Sequence, residues 1–341
     1  MLTLAPVAAG APPTDLPDFA AVRAAAGRLE GRVARTPVLR SDRLDARSGR
    51  RVHLKCENLQ HAGAFKYRGA TNALLALEDE ALAGRRARIV ATHSSGNHGA
   101  ALARAARLLG WRCLVVTPRD ASPVKLAAIV AEGAELHHCE PGHAPREAML
   151  AALVRETGAA VVHPYDDAAV IAGQGTAAVE LLADIPTLDV LATPVGGGGL
   201  LAGCALAARG MAPGCRVVGV EPAVADDAAR SYHGGVRLGW SGSPPTIADG
   251  LRGSIGARPF AIFRQHVDDL LTVSESAIVA AMRVLLEDAR LLVEPSSAVP
   301  VAALLDGRLG APGDAVGIVL SGGNVDLSVC PFLAGRSPRN D

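Results

Sequence analysis

The sequence predicts an α/β protein of two domains, each carrying βα units on a parallel sheet. Three observations carry that expectation. The chain has 341 residues, and a single core seldom grows past about 250–300 residues. From about residue 85 to residue 163, short apolar runs alternate with helical patterns at the spacing that parallel strands and crossover helices require. The same rhythm restarts at Val190 and runs toward the carboxyl end. No segment of roughly 20–50 residues repeats, which sets a solenoid or propeller aside.

The elements follow in order. Residues 1–14, MLTLAPVAAGAPPT, are small, apolar and proline-rich. They lack the positive start of a secretory signal, and Pro6 interrupts the short apolar region, so they read as a disordered extension. Leu16, Phe19, Val22, Ala26, Leu29 and Val33 fall at helical spacing over 16–34. Thr36-Pro37-Val38-Leu39 then opens an extended segment, and Val52–Glu57 alternates like a strand. An Ala-rich helical pattern runs from Lys66 through Leu77. Ile89–Thr92, Cys113–Val116, Gly133–His137 and Ala160–His163 read as strands, separated by helices at Ala100–Leu109, Val124–Glu132 and Pro145–Glu156. Strands Val190–Val195 and Val217–Glu221 flank a helix at Leu200–Arg209. Residues 230–260, rich in Gly, Pro and Ser, read as long loops. Ser274–Ala289 reads as a helix with Ser274 or Ser276 as N-cap. Leu291–Val293 and Val316–Leu320 are the last strands expected.

Composition narrows the function. Apolar residues make up 49% and charged residues 20%, with a formal net charge of zero. Nothing in that balance favours a nucleic-acid or anionic-membrane partner. No apolar run approaches the roughly 18–20 residues of a membrane span, and the expected location is cytoplasmic. Six scattered cysteines (Cys56, Cys113, Cys139, Cys204, Cys215 and Cys330) make no C-x-x-C pair and read as buried small hydrophobes. His137-His138-Cys139-Glu140 with His143 has metal-like composition. However, His137 and Cys139 share one strand face while His138 points away, so no tetrahedral set results. No G-x-S-x-G elbow and no Gly-Lys pair of a phosphate-binding P-loop is present.

One stretch concentrates chemical potential: Gly63-Ala64-Phe65-Lys66-Tyr67-Arg68-Gly69-Ala70. Of 34 basic side chains only Lys55, Lys66 and Lys125 are lysines. A chain that uses arginine wherever a cation suffices keeps lysine where an amine is needed. Lys66 opens a helix, where the macrodipole disfavours an ammonium, and burial beside Phe65 acts the same way. An amine held partly neutral is what Schiff-base chemistry requires.

Glycine loops add binding capacity. Thr193-Pro194-Val195-Gly196-Gly197-Gly198-Gly199-Leu200 lies between a strand and a helix, where backbone N–H groups and the helix dipole suit a phosphate. Gly197-x-Gly199-x-x-Ala202, with Glu221 at the end of the next strand, also fits a dinucleotide fingerprint and so a dehydrogenase. The Lys66 segment argues against that class. Thr92-His93-Ser94-Ser95-Gly96-Asn97-His98-Gly99 offers hydroxyls, an amide and helix-start N–H groups suited to a small carboxylate. Ser321-Gly322-Gly323-Asn324 follows the strand Val316–Leu320, which points Ser321 into the ligand crevice of an open sheet.

Taken together, LKCENLQHAGAFKYRGA, THSSGNHGAA, HPYDDAAVIAGQGT, PVGGGGL, VGVEPAVADD, TIADGL, LLVEPSSAV and LSGGN resemble the pyridoxal-phosphate enzymes of fold type II. The similarity is to the serine/threonine dehydratase and serine racemase branch, and it runs in order from about residue 35 to 325. It implies a tryptophan synthase beta-like architecture: a small domain at 79–164 inserted into a large one made of 1–78 and 165–341. Lys66 would hold pyridoxal phosphate covalently and move the substrate Cα proton, and Phe65 would pack on the ring. Gly196, Gly197, Gly198, Gly199 and Leu200 would hold the phosphate. Asn97 and Glu294 would border the ring, Asn97 bonding its hydroxyl, and Ser321 would face the ring nitrogen. Ser94, Ser95, Gly96, Asn97 and His98 would grip the substrate carboxylate, Ser95 fitting the place of an acid on the far face of Cα. Glu221, Ala225 through its carbonyl, and Asp227 match a divalent-cation site for Mg²⁺ or Ca²⁺.

The implied activity is β-elimination from L-threonine or L-serine, with serine racemisation and 3-hydroxyaspartate dehydration as alternatives. The implied assembly is a homodimer acting on a small amino acid. Ala64 stands where the family commonly has serine. Tyr165 occupies a variable position at which Tyr or Phe favours dehydratases. His61-Ala62 replace the Lys-Thr of nucleotide-regulated racemases, and no carboxyl-terminal regulatory domain is expected.

Overall fold

The computed structural model describes residues 2–7, 13–327 and 332. In chain order the elements are β1 (Leu4–Pro6), α1 (Phe19–Leu29), β2 (Val38–Leu39), α2 (Asp42–Ser48), β3 (Arg51–Cys56), α3 (Lys66–Leu82), β4 (Ile89–His93), α4 (Asn97–Leu109), β5 (Arg112–Pro118), α5 (Pro123–Ala131), β6 (Glu135–Cys139), α6 (His143–Thr157) and β7 (Ala160–Val161). Then come α7 (Ala168–Asp184), β8 (Val190–Pro194), α8 (Gly199–Met211), β9 (Arg216–Pro222), α9 (Asp227–Gly234), β10 (Leu238–Trp240), α10 (Ala257–His266), β11 (Asp269–Val273), α11 (Glu275–Ala289), α12 (Pro295–Leu305) and β12 (Ala315–Leu320).

Two parallel sheets organise the chain. A six-stranded sheet has the order β11-β9-β8-β12-β3-β2, with only β2 antiparallel to its neighbour. A four-stranded sheet has the order β6-β5-β4-β7 and is parallel throughout. In sequence, the strands of the second sheet all fall between β3 and β8 of the first. The inner strands of both sheets carry apolar side chains on both faces, as crossover helices demand. Along β12, Ala315 and Val319 join the core under α1, α7, α8 and α10, while Val316, Ile318 and Leu320 join the core under α2, α11 and α12. The smaller sheet divides its strands between a core with α3 and α4 and one with α6.

Several expectations need correction. Leu4–Pro6, expected within a disordered extension, form β1 and pair antiparallel with β10. Residues 1 and 8–12 of that extension, and Cys330, lie outside the described residues. The loop expected over 230–260 contains β10 and the start of α10. Leu291–Val293 is not a strand; it is a connector into α12.

The largest omission is α7, whose glycines disguise a helix. A Cβ on Gly173 would lie 2.7 Å from Gly69 Cα, and one on Gly203 would lie 2.3 Å from Ile171 O. These glycines let α3, α7 and α8 cross at backbone contact, so the small side chains mark a helix interface rather than a turn. The N-cap at Ser274 is as expected: its hydroxyl accepts from Ala277 N–H at 3.2 Å. The five described cysteines are free and buried.

Candidate active site

The expected site residues gather at the carboxyl ends of β3, β4, β8 and β12, where open parallel sheets bind ligands. Lys66 is the first residue of α3. The strand-like turn before it is stitched to the end of β12: Phe65 N–H donates to Ser321 O, and Gly323 N–H donates to Gly63 O, both at 2.9 Å. Ala64 bridges Gly322 in the same ladder. These bonds fix Lys66 and Ser321, 255 positions apart in sequence (321 minus 66), in one frame.

The Lys66 amine donates to Pro164 O at 2.8 Å and stands 5.1 Å from the Phe65 ring centroid and 6.0 Å from that of Tyr165. Removal from water lowers its pKa to about 8, against the opposing pull of Glu294. Burial is the main cause. His98 lies beside it. Burial holds its imidazole neutral, well below the ordinary range, with Nε2 3.2 Å from Val162 O.

The Ser94–His98 loop is partly spent on itself. Ser94 Oγ accepts from Gly96 N–H at 3.2 Å and from Gly99 N–H at 3.0 Å, which organises the start of α4. Asn97 donates to both oxygens of Glu294, at 3.0 and 2.9 Å, and accepts from Asn324 at 3.0 Å. The amide therefore lies between the Glu294 carboxylate and Asn324. Glu294 is buried, which raises its pKa. Ser321 Oγ lies 3.1 Å from Ser297 Oγ, and Ser297 also donates to Gly322 O at 2.6 Å. Sequence reading singled out Ser321 and missed Ser297, although it lies within LLVEPSSAV.

The Gly196–Gly199 loop fits a phosphate. No side chain caps α8, and Gly198 has φ +88°, a conformation that excludes most side chains. A Cβ on Gly197 would meet the Tyr165 ring at 2.3 Å. Tyr165 therefore spans the gap between this loop and the Lys66 amine. Leu200 is buried in the first turn of α8. A lysine made less basic and an uncapped glycine cradle together fit pyridoxal phosphate.

Glu221 lies near the end of β9, and Asp227 opens α9. Glu221 is 0% exposed and accepts from Ala229 N–H at 2.7 Å and Ala228 N–H at 3.3 Å. That burial under α9 removes it from ribose reach and disfavours the dinucleotide reading. Asp227, 1% exposed, accepts from Trp240 Nε1 at 3.1 Å and Ile255 N–H at 2.7 Å. Burial raises both pKa values, with the Asp227 charge adding to the effect on Glu221 and the Asp226 charge to the effect on both. Among the described residues no basic side chain ion-pairs with either carboxylate, and an oxygen of Asp226 is buried without a partner. Two buried carboxylates with hydrogen bonds but no cationic partner suit a hard divalent cation. Ala225 is buried on the turn between the two acids. Among the described residues no group of three His, Cys, Asp or Glu side chains could hold a metal, so any cation here relies on backbone and water as well.

Comparison with known proteins defines the class. The family model described as pyridoxal-phosphate dependent enzyme matches residues 29–322, and the chain belongs to that family. Within it, the chain is 41% identical over 317 residues to a β-hydroxyaspartate dehydratase of Paracoccus denitrificans, covering 93% of this chain and 99% of the relative. It is 43% identical over 313 residues to serine racemase of Homo sapiens, covering 91% and 92%. The solved structure of a T.th. threonine deaminase superposes with TM-score 0.85 at 44% identity, covering 91% of this chain and 99% of that one.

Proposed function

We propose that the protein eliminates water from a β-hydroxy-α-amino acid, L-threonine or L-serine, to release a 2-oxo acid and ammonia. The observation that carries this reading is the Lys66 amine. It is brought to about pKa 8 and touches a carbonyl rather than a carboxylate. When bound, pyridoxal phosphate supplies an electron sink for the charge that develops at Cα. The chain supplies the rest. Lys66 takes the Cα proton, a role that needs an amine neutral near working pH. The start of α4, with Ser94–His98, grips the α-carboxylate through N–H groups and the helix dipole. The Gly196–Gly199 loop anchors the phosphate end. Ser321 offers the ring nitrogen a neutral hydroxyl, which imposes no charge on it and so favours quick loss of the β-substituent over a long-lived carbanion. The Cβ–O bond breaks, the hydroxyl departs as water by taking up one proton in place of the one Lys66 removed from Cα, and the enamine product tautomerises and hydrolyses.

The cleft between a small domain, 79–164, and a large one, 1–78 with 165–341, is the proposed place of reaction. Support comes from the four-stranded sheet lying wholly within the first range. Glu221, the Ala225 carbonyl and Asp227 are proposed to take Mg²⁺ or Ca²⁺.

Two alternatives have specific support. Ser95, on the α4 loop, could return a proton to the far face of Cα, and a 43% identical relative is named serine racemase. A 41% identical relative is named β-hydroxyaspartate dehydratase. The deciding experiment measures 2-oxo acid release by purified protein with pyridoxal phosphate and Mg²⁺. The panel is L-threonine, L-serine, D-serine and the 3-hydroxyaspartates. Release from L-threonine or L-serine is expected. Release only from hydroxyaspartate moves the substrate to the dicarboxylate, and none from any, with inversion by chiral analysis, makes the protein a racemase.

A further inference from the structure

The amino-terminal strand ends up beside the Glu221–Asp227 pair. In the β1–β10 ribbon, Leu4 faces Trp240 and Pro6 faces Leu238. Thr3 and Ser241 exchange two bonds, Thr3 N–H to Ser241 Oγ at 3.0 Å and Ser241 N–H to Thr3 O at 2.9 Å. Val7 N–H donates to Arg237 O at 2.9 Å. A two-stranded ribbon is marginal by itself and depends on what it is anchored to. This one is anchored at Trp240, whose backbone N–H meets Ser254 Oγ at 2.9 Å and whose indole N–H meets Asp227 Oδ1 at 3.1 Å. The other oxygen of Asp227 holds Ile255 N–H, and the next residue, Gly256, donates to Gly197 O at 3.2 Å. One continuous set of hydrogen bonds therefore joins the amino-terminal strand, Asp227 and the Gly196–Gly199 loop.

We propose that Trp240, clamped by the amino-terminal strand, is a positioning residue for a divalent cation at Glu221 and Asp227, so that cation binding and strand docking stabilise each other. The inference rests on the reading of that pair as a cation site. The physical reason is orientation: the indole N–H holds Oδ1 of Asp227 while Ile255 N–H holds Oδ2, which together fix the plane of the carboxylate. Partners that orient ligands in this way are typically worth about 10–100-fold in metal affinity. Linkage makes the effect reciprocal, so the cation must order the ribbon by the same factor that the ribbon tightens the cation.

The chain has two tryptophans, Trp111 and Trp240. In a Trp111→Phe background, Trp240 emission should therefore report Mg²⁺ or Ca²⁺ added to the full-length holoenzyme, with equilibrium dialysis as an independent measure. Trp240→Phe, which keeps an aromatic ring and loses the donor, should raise the dissociation constant about 10–100-fold. A variant lacking residues 2–7 should weaken binding in the same direction. Amide exchange at 3–7 and 237–241 should slow when the cation is added to the parent and stay unchanged in Trp240→Phe. If Trp240→Phe fails to fold, as judged by circular dichroism, the truncated variant carries the test. Unaltered affinity in both variants, or exchange indifferent to the cation, overturns the inference. Dialysis showing no cation on the parent protein overturns the cation reading beneath it as well.

Discussion

Lys55 and Lys66 are both removed from water, and their surroundings could hardly differ more. Lys55, 0% exposed, donates to Thr36 O at 2.6 Å and pairs with Glu180. Glu180 also holds Arg68 at 2.6 Å, and Arg68 meets Glu57 at 2.8 Å. Two cations and two carboxylates close on one another beneath α3. Lys66 has a backbone carbonyl and two aromatic faces, with the Glu294 charge acting from farther off. A buried charge whose partners complete it becomes scaffold. A buried charge whose partners fall short becomes reactive, because its neutral form is within reach at ordinary pH. The two regions share one helix: Arg68 and Lys66 are two positions apart and so face different sides of α3. The closed network holds still the helix that presents the open one.

Exchanging members of the two regions should have opposite signatures. Lys66→Ala should cut 2-oxo acid release by about 10³-fold or more, the scale of a lost proton-transfer group, while its denaturant midpoint stays close to that of the parent. Retained turnover would end the assignment. Arg68→Met should do the reverse. It strands Glu57, wholly buried, and should cost about 3–5 kcal/mol of stability in urea unfolding. An Arg68→Met protein with unchanged stability would mean the network is not the scaffold described above.

The pH behaviour of Lys66 sharpens the contrast further. In protein freed of cofactor, labelling of Lys66 by an amine-directed reagent should rise with a midpoint near 8. Glu294→Gln should move that midpoint lower, since the Glu294 charge supports the ammonium. A midpoint near the free-lysine value of about 10.4 would contradict the desolvated amine. The linkage sign follows. Between about pH 8 and 10.4 the unfolded chain binds the proton that the folded chain has released, so this group's contribution to stability improves as pH rises through that window.

Much of this was legible beforehand. Apolar alternation placed most strands of both sheets, and glycine-rich turns after strands marked the loops that meet at the site. What escaped notice depended on three-dimensional proximity. Gly173 reads as a helix breaker until the backbone of α3 is seen to lie against it. Ser297 lies 3.1 Å from Ser321 across 24 residues of sequence (321 minus 297). The scarcity of lysine pointed to Lys66 for an incomplete reason, since Lys55 is retained for an ion pair. The purpose of a rare residue lies in its partners, and those are set by the fold.

Lys125 tests the middle of that range. From α5 it pairs with Asp249, in the turn whose next residues, Gly250 and Leu251, would obstruct a Cβ on Gly196. The two side chains are 26% and 35% exposed. It is therefore neither sealed like Lys55 nor left without a carboxylate like Lys66. Burial lowers its pKa, with Arg252 adding in the same direction and Glu294 opposing. Water still reaches the pair, so its Coulomb attraction is screened and the cost of ordering two side chains offsets most of what remains. Lys125→Met should change unfolding stability by about 1 kcal/mol or less, well short of Arg68→Met. A loss approaching that of Arg68→Met would show that the contact between the two βα blocks through α5 behaves as a closed network despite its exposure, and would move the boundary between scaffold and cleft outward to Asp249.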